Sequence, residues 1–247
     1  MSSEENETRS RPYLILGAVL SAGLVAGAVM LAFGSSGVSG RDHQNFRVID
    51  GDTVQVGDTS FDLFGIDTPE LGQVCFNGSA PWHCGLDAAG ALHRRIAFDP
   101  PDCHRAPTLA VKGGPRQIIC NTGGTPAAII LLEEGYAMAL ENAPENYKKA
   151  QEQARRASLG LWRGEFVLPA KWRKGERLDG EAVHTPHCPV KAVIAGSGKK
   201  IYYTPLDKEY PAIKLKSAGA GKCFGSDEAA RDAGYSHHSA PGGAGAG

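Results

Sequence analysis

This chain has almost no net charge, -1 at neutral pH with a pI near 6.7, so it lacks the general attraction to nucleic acid or anionic lipid of a basic domain. Any polyanion would have to be held by a local site. The sequence also lacks a Cys-x-x-Cys pair and any zinc-finger spacing of histidines, which argues against a structural metal site built from its six cysteines. Collagenous and coiled-coil architectures are excluded, and with 42% hydrophobic and 21% charged residues so is wholesale disorder. What is there, 247 residues, suffices for one good-sized core or two small domains, and 32 glycines and 15 prolines imply many turns.

Ionisable groups are missing from Tyr13 to Phe33 except for the Tyr13 phenol. A run of that length can span a bilayer, which takes about 20 helical residues. Arg9 and Arg11 precede it and favour an N-terminal tail (1–12) in the cytoplasm, with the rest of the chain exported. A cleaved signal peptide is the rival reading, but the run is longer than the usual apolar core of ~7–15 residues and has no clear small-x-small site. The expected location is therefore the bacterial inner membrane, single-pass through residues 13–33, with the later domains periplasmic. An even set of cysteines agrees with an oxidising compartment. Cys188 with His184 and His187 is the nearest approach to a ligand cluster, and a disulfide cysteine beside two linker histidines is the plainer reading.

After a Gly/Ser tether (34–44), a folded segment is expected over 45–173. Phe46 to Val56 alternates across the turn Asp50-Gly51-Asp52, and Ser60 to Ile66 returns as a strand after Gly57-Asp58, a β-meander. Trp82 to Phe98 has helical spacing of apolar residues, and strand-like runs follow at Thr108–Val111 and Gln117–Cys120. Thr125-Pro126 reads as a hydroxyl cap with proline in the first turn of a helix stopped by Gly135. A third helix runs from about Glu145 to Ser158. Strands followed by helices indicate an α+β fold. This middle region is acidic: residues 42–173 carry 16 acidic and 13 basic side chains.

The chemistry concentrates in Asp50-Gly51-Asp52-Thr53 and Asp67-Thr68-Pro69-Glu70, each ending an apolar strand. Asp-Gly is a common hairpin turn, so either motif alone reads as structural. Together, if the strands pair, they bring four carboxylates to one place.

These residues, with Gly65-Ile66, Gln73, Cys75, Trp82-x-Cys84-Gly85, Arg116 and Gly160-Leu161-Trp162, resemble the staphylococcal-type thermonuclease family over about 45–173. The resemblance implies a five-stranded OB-fold-type β-barrel with three helices. It also implies Ca²⁺ on Asp52, Asp67 and the Thr68 carbonyl, Asp50 behind them, Glu70 on the attacking water and Arg116 on the phosphate. Oxygen ligands suit Ca²⁺, a hard cation taking ~6–8 of them, and a guanidinium fork follows phosphate oxygens as charge builds. Cys75–Cys84, Cys103–Cys120 and Cys188–Cys223 are the expected disulfides.

Two departures oppose catalysis. Where the family usually has an arginine, this chain has Asp62, and loss of one transition-state donor typically costs about 10²–10³ in rate. Before Arg116 stands Lys112-Gly113-Gly114-Pro115, without the expected base-stacking aromatic and its basic neighbour. After a linker (174–187), residues 188–238 resemble a small module that follows thermonuclease-like domains in exported bacterial proteins, some associated with succinoglycan biosynthesis. Lys200-Ile201-Tyr202-Tyr203-x-Pro205, Tyr210 and Phe224-x-Ser226-x-Glu228-Ala229-Ala230 carry the likeness. Tyr202-Tyr203 replaces its usual Tyr-His, and Cys223 lies two places before its usual second cysteine. Ser226 is placed to cap a helix ended by Gly234. His237-His238 could bind a metal weakly, but two histidines before a Gly/Ala tail (239–247) read as disordered. Two functional classes result: a slow, membrane-anchored Ca²⁺-dependent phosphodiesterase acting on DNA or RNA, or a catalytically degenerate OB-fold module that binds a protein partner or polymer in the envelope.

Overall fold

The computed structural model describes residues 46–107, 116–215 and 221–238. The apolar run 13–33, the strand read at Thr108–Val111, the Lys112–Pro115 segment and the tail lie outside them. Among the described residues no helix is long and apolar enough to cross a membrane.

The fold is α+β, built on a curled sheet. β1 (Phe46–Val48), β2 (Thr53–Val56) and β3 (Thr59–Leu63) form the antiparallel meander, and β3 pairs in parallel with β8 (Gln117–Thr122). The edge strand β7 (Asp102–Arg105) closes the order β1-β2-β3-β8-β7. Sequence periodicity missed β7 because only Cys103 of its four residues points inward. β8 shows the opposite case: Ile118, Cys120 and Thr122 are buried and their neighbours are half-buried, the period-two pattern of a strand with one wet face. Two small ladders flank this sheet, β4 (Ile66–Asp67) with β10 (Met138–Ala139), and β5 (Cys75–Asn77) with β6 (Ala80–Trp82).

Helix α1 (Cys84–Phe98) buries Ala88, Ala89, Ala91 and Leu92, and α2 (Ala127–Glu133) buries Leu131 and Leu132. With Tyr147 and Ala150 of α3 (Glu145–Arg156) they cover Val48, Val54, Leu63 and Ile118 of the sheet. Thr125 and Pro126 do not cap α2 through the threonine hydroxyl. They form β9 against β8 around Gly123-Gly124, so the Thr125 backbone is committed to a hairpin and α2 begins at Ala127 without a side-chain cap.

The C-terminal residues form a second sheet, ordered β13 (Gly221–Phe224), β11 (Val190–Ile194), β12 (Lys200–Tyr203), β14 (Ser236–His237). It shares a core with the first part of the chain: Ile49, Leu71 and Ala89 pack with Val190, Ala192, Tyr202, Ala230 and Tyr235. Helix α6 (Asp227–Asp232) starts where Ser226 Oγ accepts the Ala229 N–H at 3.1 Å. The 174–187 segment between the two carries the short helix α5 (Glu181–His184) and is pinned by Glu181, 0% exposed, which accepts hydrogen bonds from Trp172 Nε1 at 2.5 Å and Val74 N–H at 3.3 Å. The six cysteines pair as Cys75–Cys84, Cys103–Cys120 and Cys188–Cys223.

His237 and His238 correct the expectation of a disordered end. They are 3% and 5% exposed, because β14 pairs in parallel with β12 and both rings face Asp207.

Candidate functional site

The turn between β1 and β2 is held by Asp50, whose Oδ1 accepts the N–H groups of Asp52 at 3.0 Å and Thr53 at 2.6 Å. An aspartate that closes its own turn in this way is a common turn device. Asp52 reaches instead to the second motif, its Oδ2 accepting the Thr68 N–H at 2.8 Å. The two motifs touch so closely that a Cβ on Gly51 would stand 2.4 Å from Thr68 Oγ1, and one on Gly85 would stand 1.7 Å from the Glu70 carbonyl oxygen. Only glycine allows the first turn of α1 to lie on the Glu70 loop in this way. Asp62, on β3 opposite Thr53, completes the set from the sheet.

Asp50, Asp52, Asp62, Asp67 and Glu70 thus line one pocket of about 480 Å³. Thr68 is buried beside it, bonded to Asp52. Arg116 is not among the lining residues: it is exposed at the start of β8, and its contribution is a backbone carbonyl that accepts the Asp62 N–H at 2.9 Å.

Two other arginines occupy the pocket. Arg173, just after α4 (Pro169–Trp172), donates from Nη1 to Asp67 Oδ1 at 2.9 Å and to Glu70 Oε1 at 2.7 Å, and from Nη2 to Asp67 Oδ2 at 3.2 Å. Its Nε lies 3.0 Å from Glu228 Oε2 of α6. Arg231, also of α6, lies 3.0 Å from Asp227 Oδ2 and 4.0 Å from Asp62 Oδ1. Asp227 is 1% exposed, and both its oxygens are buried without a hydrogen-bond partner, as is Asp62 Oδ1. The carboxylate oxygens of Asp50, Glu70 and Asp227 come within 4.8 Å of one another. Sequence reasoning missed Arg173, Asp227 and Arg231 because they lie more than a hundred residues from the motifs they meet, and no local pattern distinguishes them from a surface helix face.

Crowding sets the protonation states. Burial, helped by the charge of Asp50 and opposed by Arg173, pushes Glu70 up to about 8. Burial also raises Asp62 to about 6, against the pull of Arg231. Asp52 and Asp227 are raised well above the usual carboxylate range, again by burial first and Asp50 second. Desolvation works against the Arg173 cation, but its bonds to Asp67 and Glu70 outweigh this and raise its pKa. For these carboxyls the native state binds more protons than the unfolded chain between roughly pH 4 and 8, so stability falls as pH rises across that window. We expect Tm to decline from pH 5 to pH 8. Glu70→Gln should flatten the upper part of the curve and stabilise the protein at pH 8 by about 2 kcal/mol, roughly 4–8 °C, as followed by thermal unfolding. An unchanged pH profile in this variant would show that Glu70 is not the buried acid.

No known family model matches this chain. It is similar to the succinoglycan biosynthesis protein ExoI of Rhizobium meliloti (strain 1021), 28% identical over 120 residues. The match covers 48% of this chain and 63% of that protein, so the chain spans less than two thirds of its relative. The three disulfides point to an oxidising, extracytoplasmic compartment.

Proposed function

We propose that this protein is an exported, non-hydrolytic module of the cell envelope, a thermonuclease-type OB barrel whose carboxylate site has become an internal ion network, serving exopolysaccharide biosynthesis. The observation that carries this reading is Arg173, whose guanidinium engages both Asp67 and Glu70, the two carboxylates a nuclease of that type would need free for metal and water. The barrel reading is supported by the strand order β1-β2-β3-β8-β7 with its single parallel pair, β3 with β8. The exopolysaccharide part is supported by the similarity to a succinoglycan biosynthesis protein. Attachment to the inner membrane through residues 13–33 belongs to the same proposal.

The pocket offers nothing cationic to a phosphodiester. Arg173 and Arg231 both face carboxyl groups of the chain, Glu228 and Asp232 add negative groups, and Arg116 lies elsewhere. A dianionic transition state gathers charge that fixed donors must offset, and here the fixed groups would repel it.

A second reading, a slow Ca²⁺-dependent phosphodiesterase, is favoured by the convergence of Asp50, Glu70 and Asp227. Oxygen donors of this kind suit a hard cation in chemistry. Arg173 holds both Asp67 and Glu70, so Asp52, Asp67 and Thr68 would hold Ca²⁺ only after Arg173 leaves Asp67.

The polymer is tested by affinity electrophoresis of the purified protein through gels containing soluble exopolysaccharide or single-stranded DNA. Retardation by the polysaccharide and free passage through DNA are expected. Equal mobility in the polysaccharide and blank gels would remove exopolysaccharide from the proposal.

A further inference from the structure

The described residues hold a second cluster of ligating side chains, remote in sequence from the Asp-Gly-Asp motif and unused by the proposal above. It forms where the C-terminal sheet meets β1 and β2. Asp207 sits in the turn after β12, 8% exposed, its Oδ2 accepting the Thr204 N–H at 2.7 Å. His237 Nε2 lies 2.9 Å from Asp207 Oδ2, and His238 Nε2 lies 3.0 Å from Asp207 Oδ1. One ligand atom from each of the three residues falls within 4.8 Å of the others, and all three residues are buried. We propose that Asp207, His237 and His238 form a structural site for a divalent transition cation of the Zn²⁺ type, which fastens the C-terminal sheet to the first one.

The rings are already oriented from outside the cluster. His237 Nδ1 is 2.7 Å from Gln55 Oε1 on β2, and Tyr202 packs edge-on to this ring at 5.2 Å. With a hydrogen on Nδ1 shared with that amide oxygen, Nε2 is the ring atom turned to the carboxylate. At that distance a positive centre must stand between the two atoms, and a proton and a metal ion compete for the place. Fixing the far nitrogen so that the near one can ligate is the usual second-shell arrangement around metal-bound imidazole. Tyr203 stacks on His238 at 4.6 Å and sets the second ring.

The donor set decides the class of ion. Two imidazole nitrogens and a carboxylate suit Zn²⁺ and its neighbours, whereas Ca²⁺ and Mg²⁺ prefer oxygen alone. Ligands at ~2.0–2.2 Å on one tetrahedral ion stand roughly 3.3–3.5 Å apart, so the two histidine–Asp207 contacts, 2.9 and 3.0 Å, lengthen by a few tenths of an ångström to receive it. Glu209, whose Oε2 is 3.5 Å from His238 Nε2, is placed for the fourth position. Access comes from a cleft of about 490 Å³ lined by Arg47, Asp207 and Glu209 among others.

Arg47 is the competitor. Its Nη1 lies 2.9 Å from His238 Nε2 and 3.9 Å from Asp207 Oδ1, and uses the same lone pair as the ion. The side chain is 28% exposed and borders the open cleft, into which it swings when the cation binds.

The test uses the full-length protein in detergent, stripped with chelator and titrated with Zn²⁺ by calorimetry. One ion per chain is expected, with a rise in Tm on loading. His237→Ala and Asp207→Asn should abolish uptake, and Gln55→Ala should weaken it by about tenfold or more through loss of the outer contact. His104→Ala, an exposed histidine on β7, should bind as the wild type does. Co²⁺ loading of the wild type gives a readout that needs no variant to fold: a tetrahedral visible spectrum is expected. A wild-type protein that takes up no Zn²⁺ and keeps its Tm would overturn the proposal and leave the cluster a proton-linked network. Uptake that survives in folded His237→Ala and Asp207→Asn would overturn it equally, by placing the ion elsewhere.

Discussion

Arg173→Ala should lower stability more than any other single substitution in the pocket. The guanidinium is shared by Asp67, Glu70 and Glu228, contributed by β4, the loop after it and α6. Its removal leaves two poorly exposed carboxylates close to Asp50 without their counter-charge. Breaking a fully buried pair from one side costs about 3–5 kcal/mol. Because the Arg173 side chain is 29% exposed, water recovers part of that, and a loss of about 2–3 kcal/mol, or roughly 5–10 °C in Tm, is expected. Arg173→Lys should recover less than half, since an ammonium cannot fork across both Asp67 oxygens. The loss should be smaller at pH 5 than at pH 8, because Glu70, held at about 8, is neutral at the lower pH and needs no partner. Thermal unfolding of the three proteins at the two pH values measures this. A variant as stable as the wild type at pH 8 would show that the network is a surface decoration.

The second large effect concerns Cys188–Cys223, which closes a loop of 35 residues around β11, β12 and the turn of Asp207. In the chain-entropy account a crosslink of that span restricts the unfolded ensemble by about 3–4 kcal/mol. The double variant Cys188→Ala/Cys223→Ala should therefore lose roughly 6–12 °C in Tm. The loss should reach past the C-terminal sheet, because Ile49, Leu71 and Ala89 share a core with Val190 and Tyr202. Hydrogen exchange of the β1–β2 turn should accelerate in this variant. Protection there equal to that of the wild type would mean that the two sheets unfold separately.

Much of the fold was legible from local pattern. The β1–β3 meander was visible because apolar residues alternate across two Asp-Gly-type turns, α1 because its apolar residues return every three or four positions, and α3 because its segment is rich in the helix formers Lys, Gln, Arg and Ala. Ser226 announced α6 by its own chemistry, a hydroxyl ahead of two acidic residues. What sequence could not give was the meaning of side chains whose partners are distant. Asp62 was conspicuous as an anion where a cation was expected, yet its partner, Arg231, lies in a helix 169 positions later, and the residues near Asp62 say nothing of it. His237 and His238 were misread for the same reason: a Gly/Ala tail follows them, and the buried Asp207 that holds them is thirty residues upstream. Thr125-Pro126 failed differently, because a good cap signal lost to backbone pairing with β8.

The central proposal is that Arg173 closes the carboxylate pocket to hydrolysis. It is tested most directly by the initial rate of single-stranded DNA and RNA cleavage by the purified protein with millimolar Ca²⁺, set against the same protein with chelator. Equal rates are expected in the two conditions, for the wild type and for Glu70→Gln alike. A Ca²⁺-dependent rate that Glu70→Gln and Asp52→Asn abolish would contradict it, and would make Arg173 a movable latch on a working nuclease.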